Sequence, residues 1–297
     1  MTTAQFKHIS PPSVGAPKPW AKVDCPASSF TEQWHTRHVS DIRGQEKEFS
    51  TDNAGFTVLT YPSPAIDFSN DQQVRSTYYQ SVEQLLRETY KGIKRIEIFD
   101  HTIRKRVPNA PRQPVQQVHV DQTPEAVVAR VRRHITDPEE AATLLKGRYQ
   151  LTNVWRPISH SASDFPLAVI DWRTTSPSDF IAVDLLYPKR DSLDTDDRGK
   201  EKLPPPEAMN STEGYEARGE ILGVAPSEKH RFWYMKDMRP DEVMLLKCFD
   251  SWGEGMEGGK EGIAVRTPHT AFEDPATPAG APPRESIEVR CLIFYEG

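Results

Sequence analysis

From Tyr149 to the C-terminus the chain is cut by Pro and Gly into short apolar alternations, and this pattern limits the fold more than any other feature. The runs lie at 151–158, 167–172, 180–186, 220–224, 231–235, 243–249, 263–265 and 287–295. Many short strands separated by turn residues read as a sandwich or barrel. Earlier strand-like stretches at 55–60, 95–103 and 115–120 bring the number to that of a jelly roll with extra strands, so the expected class is mainly β with flanking helices. No internal repeat is present.

Helical periodicity is confined to the first half. Asn70 or Asp71 caps a stripe of Val74, Tyr78, Val82, Leu85 and Tyr90 that Gly92 stops. Thr123-Pro124-Glu125 supplies a capping hydroxyl, a residue with φ already fixed and an acid in the first turn. Val127, Val128, Val131 and Ile135 give that helix its buried stripe, and Asp137-Pro138-Glu139-Glu140 starts another that ends at Gly147. Residues 1–40 carry Pro11, Pro12, Pro17, Pro19 and Pro26 without periodicity and read as an extended arm over the body. Residues 41–297 then form a single domain, with a charged, Pro-containing insertion at 188–218 that is either a lid or a tolerated loop.

Composition narrows the partners. A formal charge of -6 argues against nucleic acid, since binding phosphates needs a basic surface. Three widely spaced cysteines form no disulfide framework, and Cys248 and Cys291 sit within apolar strands as small hydrophobes. The first residues lack the apolar run of a signal peptide, and no stretch approaches about 18 consecutive apolar residues. The expectation is a cytoplasmic protein, monomer or homodimer, with a small-molecule ligand and no membrane.

Chemistry concentrates at Val118-His119-Val120-Asp121-Gln122-Thr123. Side chains alternate along a strand, so His119 and Asp121 face the same way, at a strand-to-helix junction that makes a rigid mount. The best third ligand is His269 in Thr267-Pro268-His269-Thr270. Two His and one carboxylate on one side of an ion leave the other positions open, the arrangement of non-heme Fe(II) oxygenases. The tripeptide alone is weak, because a chain with nine His shows it by accident.

The last strand adds to the case. Arg284, Ser286, Glu288 and Arg290 share one face, and Ile287, Val289, Cys291 and Ile293 the other. The polar face meets either solvent or the distal carboxylate of an oxo-acid cosubstrate, for which an Arg fork is suited. Arg104, in the basic run Arg104-Lys105-Arg106, reads as a solvated strand end or as a clamp at a pocket mouth. Asn153 and Trp155 share a face that Arg156 does not, unless Pro157 releases Arg156 from strand regularity and lets it reach cosubstrate or substrate. Trp155, Trp233 and Tyr234 are core or an aromatic wall of the pocket.

Taken together, several blocks carry a resemblance. They include Phe99-Asp100-His101-Thr102-Ile103-Arg104, the His119-Val120-Asp121 stretch, Asn153-Val154-Trp155-Arg156-Pro157, Phe232-Trp233-Tyr234, Asp241-Glu242-Val243, Phe249-Asp250-Ser251, Pro268-His269-Thr270-Ala271-Phe272 and Arg284-Glu285-Ser286-Ile287-Glu288-Val289-Arg290. From about residue 40 onward the sequence resembles fungal and bacterial hydroxylase/desaturases of natural-product pathways, related to the small subunit of cephamycin methoxylase (the CmcJ and AsaB type). The resemblance implies a double-stranded β-helix, or jelly roll, using Fe(II), 2-oxoglutarate and O2. It puts His119, Asp121 and His269 on the iron ligands, and Arg284 and Ser286 on the Arg-x-Ser pair that holds 2-oxoglutarate.

Arg284 follows His269 by 15 residues, more than the usual spacing; the loop at 273–283 absorbs the excess, and Arg290 is its rival. The carboxylate of Asp121 argues against a halogenase, which vacates that position for halide. The implied activity is C–H oxidation of a natural-product intermediate by hydroxylation, desaturation or a related reaction. The other readings are a non-catalytic jelly-roll partner of a biosynthetic complex and a metal-dependent hydrolase, which leaves the Arg284 and Ser286 face unexplained.

Overall fold

Period-two alternation is resolved by two sheets that bury their facing sides against each other. The structure, a computed structural model, describes residues 1–108, 110, 112–189 and 209–296. Strands are numbered in chain order. The larger sheet has nine, in the spatial order β1 (Thr2–Ile9), β3 (Glu32–Asp41), β11 (Phe232–Tyr234), β8 (Leu167–Ile170), β13 (His269–Ala271), β6 (His119–Val120), β10 (Tyr215–Val224), β9 (Phe180–Pro188) and β2 (Trp20–Lys22). The smaller has five: β4 (Phe56–Thr60), β12 (Glu242–Asp250), β7 (Tyr149–Pro157), β14 (Glu285–Tyr295) and β5 (Ile93–Lys105). This is the jelly roll expected from the strand pattern.

The core lies between the sheets. At one end Val120 and Leu222 of the larger sheet pack with Leu151, Phe249 and Leu292 of the smaller. At the other, Val169 meets Phe56, Trp155, Met244 and Leu246. The outer face of the smaller sheet is also apolar, because a helix covers it. Asn70 caps that helix through Gln72 and Gln73, and it runs from α1 (Asp71–Gln73) through a π turn (Val74–Tyr78) into α2 (Tyr79–Thr89). Val82, Leu85 and Leu86 seat on Ile287, Val289, Cys291 and Ile293. Each such side chain contributes roughly 1.5–3 kcal/mol when fully buried.

Two short helices cross from one sheet to the other. The Thr123 hydroxyl accepts from Ala126 N at the start of α3 (Pro124–His134), and Asp137 caps α4 (Pro138–Leu144). Arg132, Arg133 and His134 fall in the last turn of α3, where the helix dipole favours positive charge.

Three expectations are corrected. The N-terminal residues are not an arm lying over the body: Thr2–Ile9 pairs antiparallel with Glu32–Asp41 from Thr2↔Val39 to Ile9↔Glu32 at one edge of the larger sheet. Ala4 and Phe6 are buried there, and the prolines occupy only the connection between these strands. Residues 263–265 form no strand, since Ala264 N donates to Asp52 O in a loop. Of the insertion read at 188–218, residues 190–208 lie outside the described residues, as does any lid built from them. Pro188 ends β9 and Tyr215–Arg218 already belongs to β10.

Candidate metal centre

Two neighbouring strands of the larger sheet carry the site. His269 opens β13 and pairs in register with His119 of β6, and Asp121 follows β6 before α3 begins. The two imidazole rings stand 4.6 Å apart between centroids. Nε2 of His119 lies 3.3 Å from Asp121 Oδ1, and Nε2 of His269 lies 3.6 Å from the same oxygen. One ligand atom from each residue falls within 4.8 Å of the others.

Backbone carbonyls orient both rings. His119 Nδ1 is 2.7 Å from Gln117 O, and His269 Nδ1 is 3.0 Å from Thr267 O. A carbonyl accepts only, so each Nδ1 carries the proton of the neutral ring and each Nε2 lone pair is free to coordinate. Asn153 Nδ2 donates to Asp121 Oδ2 at 2.7 Å, leaving Oδ1 turned toward the histidines. Burial opposes the ionised form of Asp121, yet the two imidazoles and the Arg290 guanidinium hold its carboxyl well below the usual carboxylate range. The same carboxylate raises His269 against the effect of its burial. The site thus attracts positive charge, and two imidazoles with one carboxylate match the donor set of an iron centre.

Beside the triad lies a slot of about 20 Å³, lined by His119, His269, Trp155, Arg284, Glu288 and Arg104. That is room for about one water, so any larger ligand must widen it. Arg284 is buried; its Nη1 donates to Phe165 O at 2.6 Å and its Nε has no partner among the described residues. Burial, followed by repulsion from Arg104, pushes its pKa down. Ser286 Oγ, two residues on and equally buried, is also unpartnered. A desolvated cation and a hydroxyl lacking an acceptor and donor fit a carboxylate, the chemistry that 2-oxoglutarate brings.

A wider chamber of about 400 Å³ opens on the other side, and His119, Asp121, Arg104 and Arg290 line it. Arg290 is occupied: it donates to Asp100, Thr102 and Glu288, and its Nε is 3.5 Å from Asp121 Oδ2. Arg104 donates to Gln113 O and lies 3.4 Å from Glu288 Oε1.

Other residues singled out in the sequence lie elsewhere. Arg156 is fully buried on the outer face of the smaller sheet, donates to Tyr61 O and Pro240 O and stands over the Tyr78 ring. Strand parity prevails, Pro157 does not turn Arg156 inward, and it lines neither cavity. Trp233 packs edge-on against Phe49 and Tyr234 donates to Asp274, both away from the two cavities. Trp155 does wall the slot, whereas Asn153 serves Asp121. Sequence reasoning missed Arg130 and His134 of α3, which line the chamber; their signal was polarity recurring beside the Val127 and Val131 stripe.

Comparison with known proteins gives consistent matches. A family described as "Oxidoreductase/YMDC permease-like domain" matches residues 7–294. Hydroxylase/desaturase efuI of Hormonema carpetanum is 30% identical over 274 residues, covering 87% of this chain and 83% of that protein. The Fe(II)/2-oxoglutarate-dependent dioxygenase nvfI of Aspergillus novofumigatus is 31% identical over 277 residues, covering 90% and 86%. A solved structure of the iron and alpha-ketoglutarate-dependent endoperoxidase NvfI superposes with a TM-score of 0.77 at 26% identity, covering 99% of this chain and 98% of that one.

Proposed function

The chain belongs to the oxidoreductase family of the fungal hydroxylase/desaturases, and on that premise we propose that it is an Fe(II)/2-oxoglutarate-dependent dioxygenase oxidising a C–H bond of a small natural-product intermediate. The observation that carries the reading is the convergence of His119, Asp121 and His269, with both Nε2 atoms and one carboxylate oxygen turned to a common point. No described helix is long and apolar enough to cross a membrane, and the reading places the enzyme in the cytoplasm as a monomer or homodimer.

In this reading the three residues would hold the iron through His119 Nε2, His269 Nε2 and Asp121 Oδ1. Arg284 and Ser286 would receive the distal carboxylate of 2-oxoglutarate, since Nε of the one and Oγ of the other are buried without a partner among the described residues. The oxidising chemistry belongs to iron and cosubstrate when bound: dioxygen is consumed, the oxo acid is decarboxylated to succinate, and a substrate C–H bond is oxidised. The protein's part is positional. Asn153 and the carbonyls of Gln117 and Thr267 fix the ligand atoms, Arg290 ties Asp121 to the β14 network, and Trp155 keeps the slot narrow. The chamber beside His119 and Asp121 receives the substrate, and Arg104 stands where chamber and slot share a wall.

The test is spectroscopic. Under anaerobic conditions Fe(II) and 2-oxoglutarate should give a weak visible charge-transfer band that His119→Ala abolishes, and air should then yield succinate from the wild type. Absence of both band and succinate defeats the reading.

A further inference from the structure

Seven arginines and two aspartates line the wide chamber. Most of these charges are already satisfied. Arg75 pairs with Asp71, Arg218 with Glu216, Arg104 with Glu288, and Arg290 with both Glu288 and Asp100. Asp121 is committed to the histidines and to Asn153. Arg130 stands apart. Among the described residues it makes no hydrogen bond or ion pair, and its guanidinium lies 5.0 Å from the centroid of the Phe99 ring.

Arg130 is half-buried and presents its guanidinium to the chamber without an acceptor from the described residues, so an anion bound there gains a charge-assisted pair. Burial lowers the pKa of Arg130, and Arg290 and Arg133 push the same way. Asp100 opposes them from nearby, but its Oδ2 accepts from Arg290 and its Oδ1 has no hydrogen-bond partner, so Arg130 does not reach it. Next to Arg130, His134 stacks on the same Phe99 ring at 5.0 Å with a buried, unpartnered Nε2. The Phe99 ring, Tyr187 and Ile221 add flat and apolar lining.

We propose that the substrate is a carboxylic acid whose carboxylate docks on Arg130, placing the rest of a ring-bearing molecule between Phe99 and the metal triad. The assignment rests on reading the triad as the iron centre, which makes the chamber the substrate site. It concerns an anion other than the cosubstrate, because Arg284 lines the slot and Arg130 lines the chamber. Arg offers a planar fork of N–H donors to a carboxylate, and a chamber of about 400 Å³ is within the range, roughly 300–1,000 Å³, that encloses a drug-sized molecule.

The probes are 2-naphthoate, 2-naphthamide and 2-naphthyl phosphate, titrated by fluorescence into anaerobic protein loaded with Fe(II) and saturating 2-oxoglutarate. Naphthoate is expected to bind at least about ten-fold more tightly than the amide, and Arg130→Met to remove that preference while Arg130→Lys keeps part of it. Thermal melts confirm that both variants fold, and the 2-oxoglutarate band is read in each. Equal binding of acid and amide, or undiminished preference in Arg130→Met, overturns the proposal. Tighter binding of the phosphate reassigns the site to phosphoesters and overturns it as well, and so does competition between naphthoate and 2-oxoglutarate. Failure of the band in the wild type overturns the oxygenase reading and the substrate assignment that rests on it, whereas lost naphthoate selectivity with the band intact overturns the Arg130 site alone.

Discussion

Arg284, just before β14, and Arg156, on β7, are both buried, and their partners give them different tasks. Arg284 lines the slot, gives Nη1 to Phe165 O and keeps an unpartnered Nε, whereas Arg156 ties Tyr61 O and Pro240 O together from the far face. Arg284→Met should raise the 2-oxoglutarate concentration for half-maximal succinate formation by at least about ten-fold, the loss of a charge-assisted pair. Arg156→Met should leave that concentration unchanged and lower stability in urea by about 1–2 kcal/mol, because two half-buried carbonyls lose their donor. If Arg156→Met weakens 2-oxoglutarate instead, the placement of both arginines is wrong. At Asn153 the expectation is again geometric. Asn153→Ala frees Asp121 Oδ2 and should weaken iron binding about ten-fold or more in an equilibrium metal titration, with the fold retained; unchanged affinity removes Asn153 from the site.

The elements place these side chains through close approaches between segments far apart in sequence. Gly55 has φ +89°, a left-handed value that L side chains seldom adopt, and a Cβ there would lie 2.5 Å from Thr267 Oγ1 and 2.9 Å from Arg266 O. Thr267 donates through that hydroxyl to Gly55 O and offers its own carbonyl to His269 Nδ1. Gly55→Ala should therefore cost about 1–3 kcal/mol of stability and weaken iron binding together, the second because the His269 ring loses its orientation; lost stability with unaltered metal affinity separates the two effects and refutes the coupling. Such a contact is invisible in sequence, since nothing local at Gly55 announces Thr267. Face alternation on β14 was legible because one side is uniformly apolar against α2, and the helix stripes and their caps were legible for the same local reasons. The N-terminal pair was not. Ala4 and Phe6 give β1 only two buried apolar positions before a buried His8, and the half-buried face of β3 carries the polar Gln33, His35 and Arg37 before Val39, so neither strand shows a sustained apolar period. Asp250, which reads locally as a turn former, is buried and accepts from Lys247, Arg148 and Gln150, partners that only the folded sheet supplies.

At the scale of the whole molecule, the edge strand β1 is tied to the metal centre, and that tie is sensitive to acid. Lys7 O accepts from Val118 N beside Gln117, whose carbonyl orients His119, and His8 Nδ1 donates to Val224 O at the end of β10. His8 is fully buried with Nε2 unpartnered, and the His230 ring lies 6.0 Å away. Burial, with the nearby charges of His230, His35 and Arg37 acting in the same direction, lowers His8 to about 4 in spite of the Val224 bond. A folded pKa below the unfolded value of 6.5 means that the unfolded chain takes up the proton first. Stability is therefore complete above pH 6.5 and is lost as pH falls toward 4, by about 3 kcal/mol for a shift of this size. His230, lowered chiefly by burial, adds to the loss in the same direction. Because His269 titrates in the opposite sense, the measurement must be a difference between two metal-free proteins. Urea unfolding of wild type and His8→Phe, compared from pH 7 to pH 4, should show the wild type losing about 3 kcal/mol relative to the variant. Parallel curves would mean that His8 does not carry the acid sensitivity of the edge strand.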